Sequence, residues 1–170
     1  MADLGYFALI LALATAVYAL VVQIFAIRSN DKRLAESAKG GILAVAILVS
    51  VASLALVNLL LKSDFSVLYV YQYTSRDLPL FYKFSAFWAG NAGSLLLWAL
   101  VLSIYTAIVA YSKRHRHDKT LPYVNLVLLI NSVFFLFCII FLANPFERTP
   151  VPVLDGYGLN PMLQNPGMVF

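Results

Sequence analysis

The sequence predicts an all-α integral membrane bundle of four transmembrane helices with its N-terminus outside the cytoplasm. Three observations predict it. Of 170 residues, 62% are hydrophobic and 12% charged, against about 25% charge in an average soluble domain. Mean hydropathy is +0.84. Runs free of Asp, Glu, Lys and Arg occur at about 5 to 27, 41 to 61, 86 to 111 and 122 to 143, each near the roughly 20 residues that a bilayer crossing requires. Collagen-like, disordered and disulfide-scaffold classes fail on 8 Gly, 7 Pro and 1 Cys. Residues 1–170 are therefore expected to form a single membrane domain, with little chain left for a water-soluble one.

The first span reads as uncleaved. Only Asp3 precedes it as a charged residue, so it lacks the basic flank of a signal peptide, and its apolar stretch is longer than such a segment needs. Arg28, Lys32, Arg33 and Lys39 follow it, and the connection after span three holds Lys113, Arg114, Arg116 and Lys119. These two connections carry eight of the twelve Lys and Arg residues. Positive charge favours the cytoplasmic side, which places loops one and three there. The N-terminus, loop two (with Lys62, Arg76 and Lys83) and the 144–170 loop then lie outside. A net charge of +4 does not indicate nucleic acid, because the cations are spread over connections rather than gathered on a face.

Loop two, about 62 to 85, would place Val67, Tyr69, Tyr71 and Tyr73 on one side if extended, an arrangement suited to the membrane interface. Asp77 to Pro79 marks a turn before the third span. That span is dense in small residues: Ala86, Gly90 and Ser94 recur every four, as do Ala89 and Gly93. Such a face admits a helix, or a flat ligand, close to the backbone. Gln23, Asn58, Asn91, Asn125 and Asn131 are expected to hydrogen-bond between helices, contributing about 1 kcal/mol each. Cys138 lies alone in the apolar run of span four and reads as packing. Beyond span four, Pro145, Pro150, Pro152, Pro161 and Pro166 exclude a regular helix and define an extracytoplasmic loop.

Catalytic and metal-binding patterns are not found. His115 and His117 stand two apart in KRHRHDK, where flanking cations disfavour a metal. The spans carry no carboxylate that would relay protons or hold a cation, which argues against a small tetraspan transporter.

WAGNAGSLLLW, from Trp88 to Trp98, resembles the WxGxxGSLLLW signature of the CcmF/NrfE family of cytochrome c-type biogenesis proteins, the haem-lyase subunits. DFSV at Asp64 to Val67, LPLFYK at Leu78 to Lys83, NPFER at Asn144 to Arg148 and DGYGLNPMLQNPGM at Asp155 to Met168 are similar to that family in order and spacing. The resemblance implies the N-terminal portion of a CcmF-like subunit in System I cytochrome c maturation, in a bacterial-type inner membrane. It implies haem as cofactor, with the remainder of the protein or a split partner, a haem carrier, apocytochrome c and the bilayer as partners. It also implies that Trp88, Gly90, Gly93 and Trp98 form a wall beside haem, and that Asn160, Pro161, Gln164 and Pro166 shape the loop leading to a haem-ligating histidine. In the family that histidine follows the LNPxLQxPGM stretch. This sequence stops at Phe170, so a fragment or one product of a split gene is expected, and the chain alone lacks the ligating histidines and the tryptophan-rich segment. Asn91 and Ala92 depart from the family pattern, in which many members carry Gln or His and then an acid. The alternative reading is a non-catalytic scaffold or assembly subunit.

Overall fold

Small and branched residues recur in the first two spans at alternating steps of three and four, the repeat that keeps one seam of a helix facing its partner. Helix α1, Ala2–Ser29, buries Ala2, Gly5, Leu9, Ala12, Ala16, Ala19, Gln23 and Ala26. Helix α2, Lys32–Lys62, returns antiparallel and buries Ala38, Ile42, Val45, Val49, Ala52, Leu56 and Leu59. The small side chains of α1 let the larger ones of α2 approach closely, and in lipid such van der Waals contact is the main attraction between helices. The computed structural model in which this hairpin is seen describes residues 1–112, 120–150 and 153–164.

The hairpin turn is shorter than hydropathy predicts. Asn30 adopts the left-handed region (φ 51°, ψ 36°) and ends α1. The Asp31 carboxylate then accepts a hydrogen bond from the Arg33 N–H at 2.7 Å, capping α2. Loop one is thus Asn30 and Asp31, and Lys32, Arg33 and Lys39 ride on the first turns of α2. A hydropathy window marks where a helix enters lipid; the cap marks where it begins.

Two short helices, α3 (Leu68–Tyr73) and α4 (Leu80–Ser85), follow in loop two, and a 3₁₀ turn at Ala86–Trp88 precedes α5, Asn91–Tyr111. Helix α6, Leu121–Phe141, begins with Pro122 in its first turn, where no N–H is needed. Helices α1 and α6 pack together, as do α1 and α2, α2 and α5, and α5 and α6, closing a ring of four membrane-spanning helices. Leu96, Ala99, Ser103, Thr106 and Ala110 continue the same seam on α5.

Of the five amides expected to link helices, Gln23 does so, donating from Nε2 to the Pro122 carbonyl at 3.0 Å. Asn131 instead donates to Val127 on its own helix at 2.8 Å, and Asn91 is exposed in the first turn of α5. Asn58 and Asn125 each keep a buried carboxamide oxygen with no hydrogen-bond partner among the described residues. A carbonyl four residues back is always within reach of a short polar side chain, so helix-internal bonds compete with bonds between helices. The start of α1, loop two, the start of α5 and residues 144–150 and 153–164 gather at one end of the bundle and form a cap on it. His115, His117, their neighbouring cations and Pro166 lie outside the described residues.

Candidate functional site

Loop two is not extended. Val67 pairs with Arg148 in an isolated antiparallel bridge: the Leu68 N–H donates to Glu147 O at 2.8 Å and Thr149 N–H to Ser66 O at 3.0 Å. The chain then turns helically, which satisfies its own backbone groups where apolar neighbours surround them. The tyrosines consequently divide. Tyr69 and Tyr73, four apart, face the same way with ring centroids 4.7 Å apart, whereas Tyr71 points elsewhere and meets Tyr157 at 4.8 Å. An alternating pattern reads as a strand only while neighbouring chain supplies a ladder, and among the described residues the pairing is a single bridge.

Tyr69 is the centre of this end of the molecule. Its buried phenol donates to the carbonyls of Ala86 (2.9 Å) and Phe87 (3.1 Å), and its oxygen accepts from the Gly90 N–H at 3.1 Å. Burial pushes the phenol pKa well above its ordinary value. These bonds hold a break in the third span: the 3₁₀ turn stops at Trp88, Gly90 is extended (φ −118°, ψ 166°) and α5 begins at Asn91 rather than near 86. The two small-residue stripes are therefore not continuous. Gly90 and Gly93 instead admit rings, since a Cβ on Gly90 would lie 2.6 Å from the Tyr73 hydroxyl and one on Gly93 would strike Tyr69 and the Phe87 carbonyl.

The four residues expected to form one haem-side wall lie in different places. Tyr73 and Tyr69 cover Gly90 and Gly93. Trp88 is half-buried at the end of the bundle, edge-on to Phe84 at 5.6 Å. Trp98, two turns along α5, is 64% exposed on the side of the bundle, 6.2 Å from Phe135.

Residues 144–150 and 153–164 fold back over loop two. The Asp155 carboxylate accepts from the N–H groups of Arg76 (3.0 Å) and Gly156 (2.8 Å). Those bonds and the nearby Arg76 and Lys83 cations hold its pKa below the usual carboxylate range. Tyr157 and Gly158 donate to the Tyr71 and Thr74 carbonyls at 2.9 and 3.0 Å. Asn160 accepts from Met162 N–H at 3.0 Å and opens a 3₁₀ turn at Pro161–Gln164. Gln164 donates to the Leu159 carbonyl, and the Tyr82 hydroxyl donates to the Gln164 carbonyl.

Sequence reasoning missed three anchors. Tyr69 was read only as an interfacial ring. Arg148 is marked by the sequence only as the end of NPFER, yet its guanidinium grips both Asp3 oxygens at 2.8 and 2.9 Å. Lys83, which enters the sequence reading as a charge of loop two and the end of LPLFYK, is buried and donates to Ser63 Oγ (2.7 Å) and the Arg76 carbonyl (3.2 Å). Each partner is distant in sequence, so no local pattern signals it. Among the described residues no group of three His, Cys, Asp or Glu is placed to hold a metal ion.

No protein-family profile matches the chain. Among curated proteins it is 34% identical over 170 residues to the cytochrome c-type biogenesis protein CcmF of Haemophilus influenzae, covering 99% of this chain and 26% of that one. It is 36% identical over 168 residues to CycK of Bradyrhizobium diazoefficiens (98% and 25%). It is 40% identical over 130 residues to the probable NrfE of Escherichia coli (76% and 24%). The solved structure of cytochrome c haem lyase CcmF superposes with a TM-score of 0.78 at 31% identity, covering 86% of this chain and 24% of that one. The chain spans about a quarter of the length of these relatives.

Proposed function

From the premise that this chain belongs to the CcmF/NrfE family of cytochrome c-type biogenesis proteins, we propose that it forms the N-terminal membrane bundle and outer cap of a CcmF-like subunit supporting covalent haem attachment to apocytochrome c. The observation that carries this reading is the match along the whole chain, cap and bundle together, to proteins named for cytochrome c-type biogenesis.

Two of the candidate ligand groups are unsuited to haem iron: the Tyr69 oxygen is engaged with three backbone groups, and Cys138 is half-buried within α6. In this reading the iron is held by the remainder of the CcmF-like protein or its split partner, and this chain's residues position the surface that those parts complete. Trp88, at the end of the bundle beside Phe84, is the member of the expected wall nearest that surface. Gly90 and Gly93 act through the tyrosines they seat, and Asn160, Pro161 and Gln164 shape the turn that the Tyr82 hydroxyl ties to loop two.

The distribution of Lys and Arg supports a bacterial-type inner membrane orientation in which Asn30–Asp31 and the 112–120 connection are cytoplasmic and the cap is extracytoplasmic. A haem carrier and apocytochrome c would then meet the protein at the cap. Deleting the coding region from a host that makes c-type cytochromes is expected to abolish peroxidase-active haem bands on denaturing gels, with non-covalent b-type haem retained. Undiminished bands would overturn the proposal.

A further inference from the structure

Asn131 stands at the midpoint of α6, where the bilayer is most apolar, and turns its carboxamide to the outside of the bundle. Among the described residues it is the one Asn or Gln within the four spans, beyond their first turns, that is exposed: Gln23 and Asn125 are buried and Asn58 half-buried. One amide N–H donates to the Val127 carbonyl. The second N–H and the carboxamide oxygen have no partner among the described residues. A lipid tail offers such groups nothing, so hydrocarbon is an unfavourable neighbour for them.

The carboxamide opens into a groove of about 610 Å³ between α5 and α6, whose other walls are apolar and aromatic, among them Trp98, Val101, Tyr105 and Phe135. Trp98 to Tyr105 spans two turns of α5, so the groove runs along the helices, the shape a further helix would fill. The chain accounts for 26% of the Haemophilus influenzae CcmF, so in a protein of that length most of the polypeptide lies beyond this bundle and must meet some face of it. The exposed mid-span amide distinguishes this face from the outward sides of α1 and α2.

We infer that the α5–α6 groove seats a membrane-spanning helix from the remaining part of the CcmF-like protein, and that a Ser, Thr, Asn or Gln on that helix hydrogen-bonds to Asn131. Polar pairs of this kind fix helix partners in lipid without needing apolar contrast. The inference rests on family membership and not on the haem-attachment proposal.

The test places a photo-crosslinking amino acid at Val101, which is 60% exposed beside the groove, in the CcmF-like protein within its native membrane. Leu54 on α2, 68% exposed, is the control position. Mass spectrometry of the adducts is expected to identify a peptide from a membrane-spanning helix outside this chain that carries Ser, Thr, Asn or Gln, at several-fold higher yield from Val101 than from Leu54. Asn131→Leu is expected to lower that yield several-fold and Asn131→Gln to retain it, at equal membrane abundance. Adducts to lipid alone, adducts to a second copy of this chain, or an unchanged yield in Asn131→Leu would each overturn the inference. If Asn131→Leu does not accumulate, the identity of the adduct from the otherwise unchanged chain still decides it. Loss of covalent cytochrome haem plays no part in the readout, so failure here leaves the proposed function standing.

Discussion

One phenol oxygen at Tyr69 serves three backbone groups, so a single atom ties loop two to the start of α5. In Tyr69→Phe the ring still fills the space over Gly93, while the Phe87 carbonyl and the Gly90 N–H lose the hydroxyl and the Ala86 carbonyl keeps its bond from the Ala89 N–H. Leaving buried backbone groups unpaired costs about 1–3 kcal/mol. Thermal unfolding of the purified chain in detergent is expected to show that loss, with hydrogen exchange at the Gly90 amide rising first. Equal protection of Gly90 in the variant would show that the bond does not hold the break. The exposed Arg148 pair with Asp3 contrasts with this, because water screens it and competes for both groups.

At the scale of elements, the seam between α1 and α2 depends on small residues that an apolar-content reading does not separate from other apolar ones. Ala12, Ala16 and Ala19 are each fully buried, while Ala14 is exposed. Ala16→Leu forces extra volume into a close approach and is expected to destabilise by about 1–3 kcal/mol, whereas Ala14→Leu gains lipid-facing apolar surface and is expected to be neutral. Equal melting of the two variants would refute the tight seam. The four spans were legible because a charge-free run near bilayer length has few other uses. Their ends were less so. Asp31 caps α2 well before the apolar run begins, and the start of α5 is set by Tyr69, which lies outside that span altogether. Loop two misled because period-two tyrosines suggest a strand, while its neighbours among the described residues supply only the Val67–Arg148 bridge.

At the scale of the molecule, the cap ties together segments from both halves of the chain, and this explains why the resemblance located the candidate residues without giving their arrangement. Motifs at 64–67 and 144–148 are separate in sequence, yet they meet through Leu68 N–H to Glu147 O and Thr149 N–H to Ser66 O, with the Thr149 hydroxyl on the Phe65 carbonyl at 3.0 Å. Trp88 and Trp98 belong to one motif, yet one sits at the end of the bundle and the other on its side, because the helix break intervenes between them. If the cap is a separable layer on a bundle stabilised by its own seams, then Thr149→Pro should loosen it alone. Proline removes the donor to Ser66 and the hydroxyl bound to Phe65, but touches none of the four spanning helices. Circular dichroism is expected to report unchanged helix, while the Leu68 amide, bonded to Glu147 in the parent, exchanges several-fold faster. Covalent cytochrome haem in the host should fall in the same variant, since the surface on which the proposed partners meet would no longer be held in place. Unaltered exchange at Leu68 would mean that the bridge follows from the fold and does not maintain it.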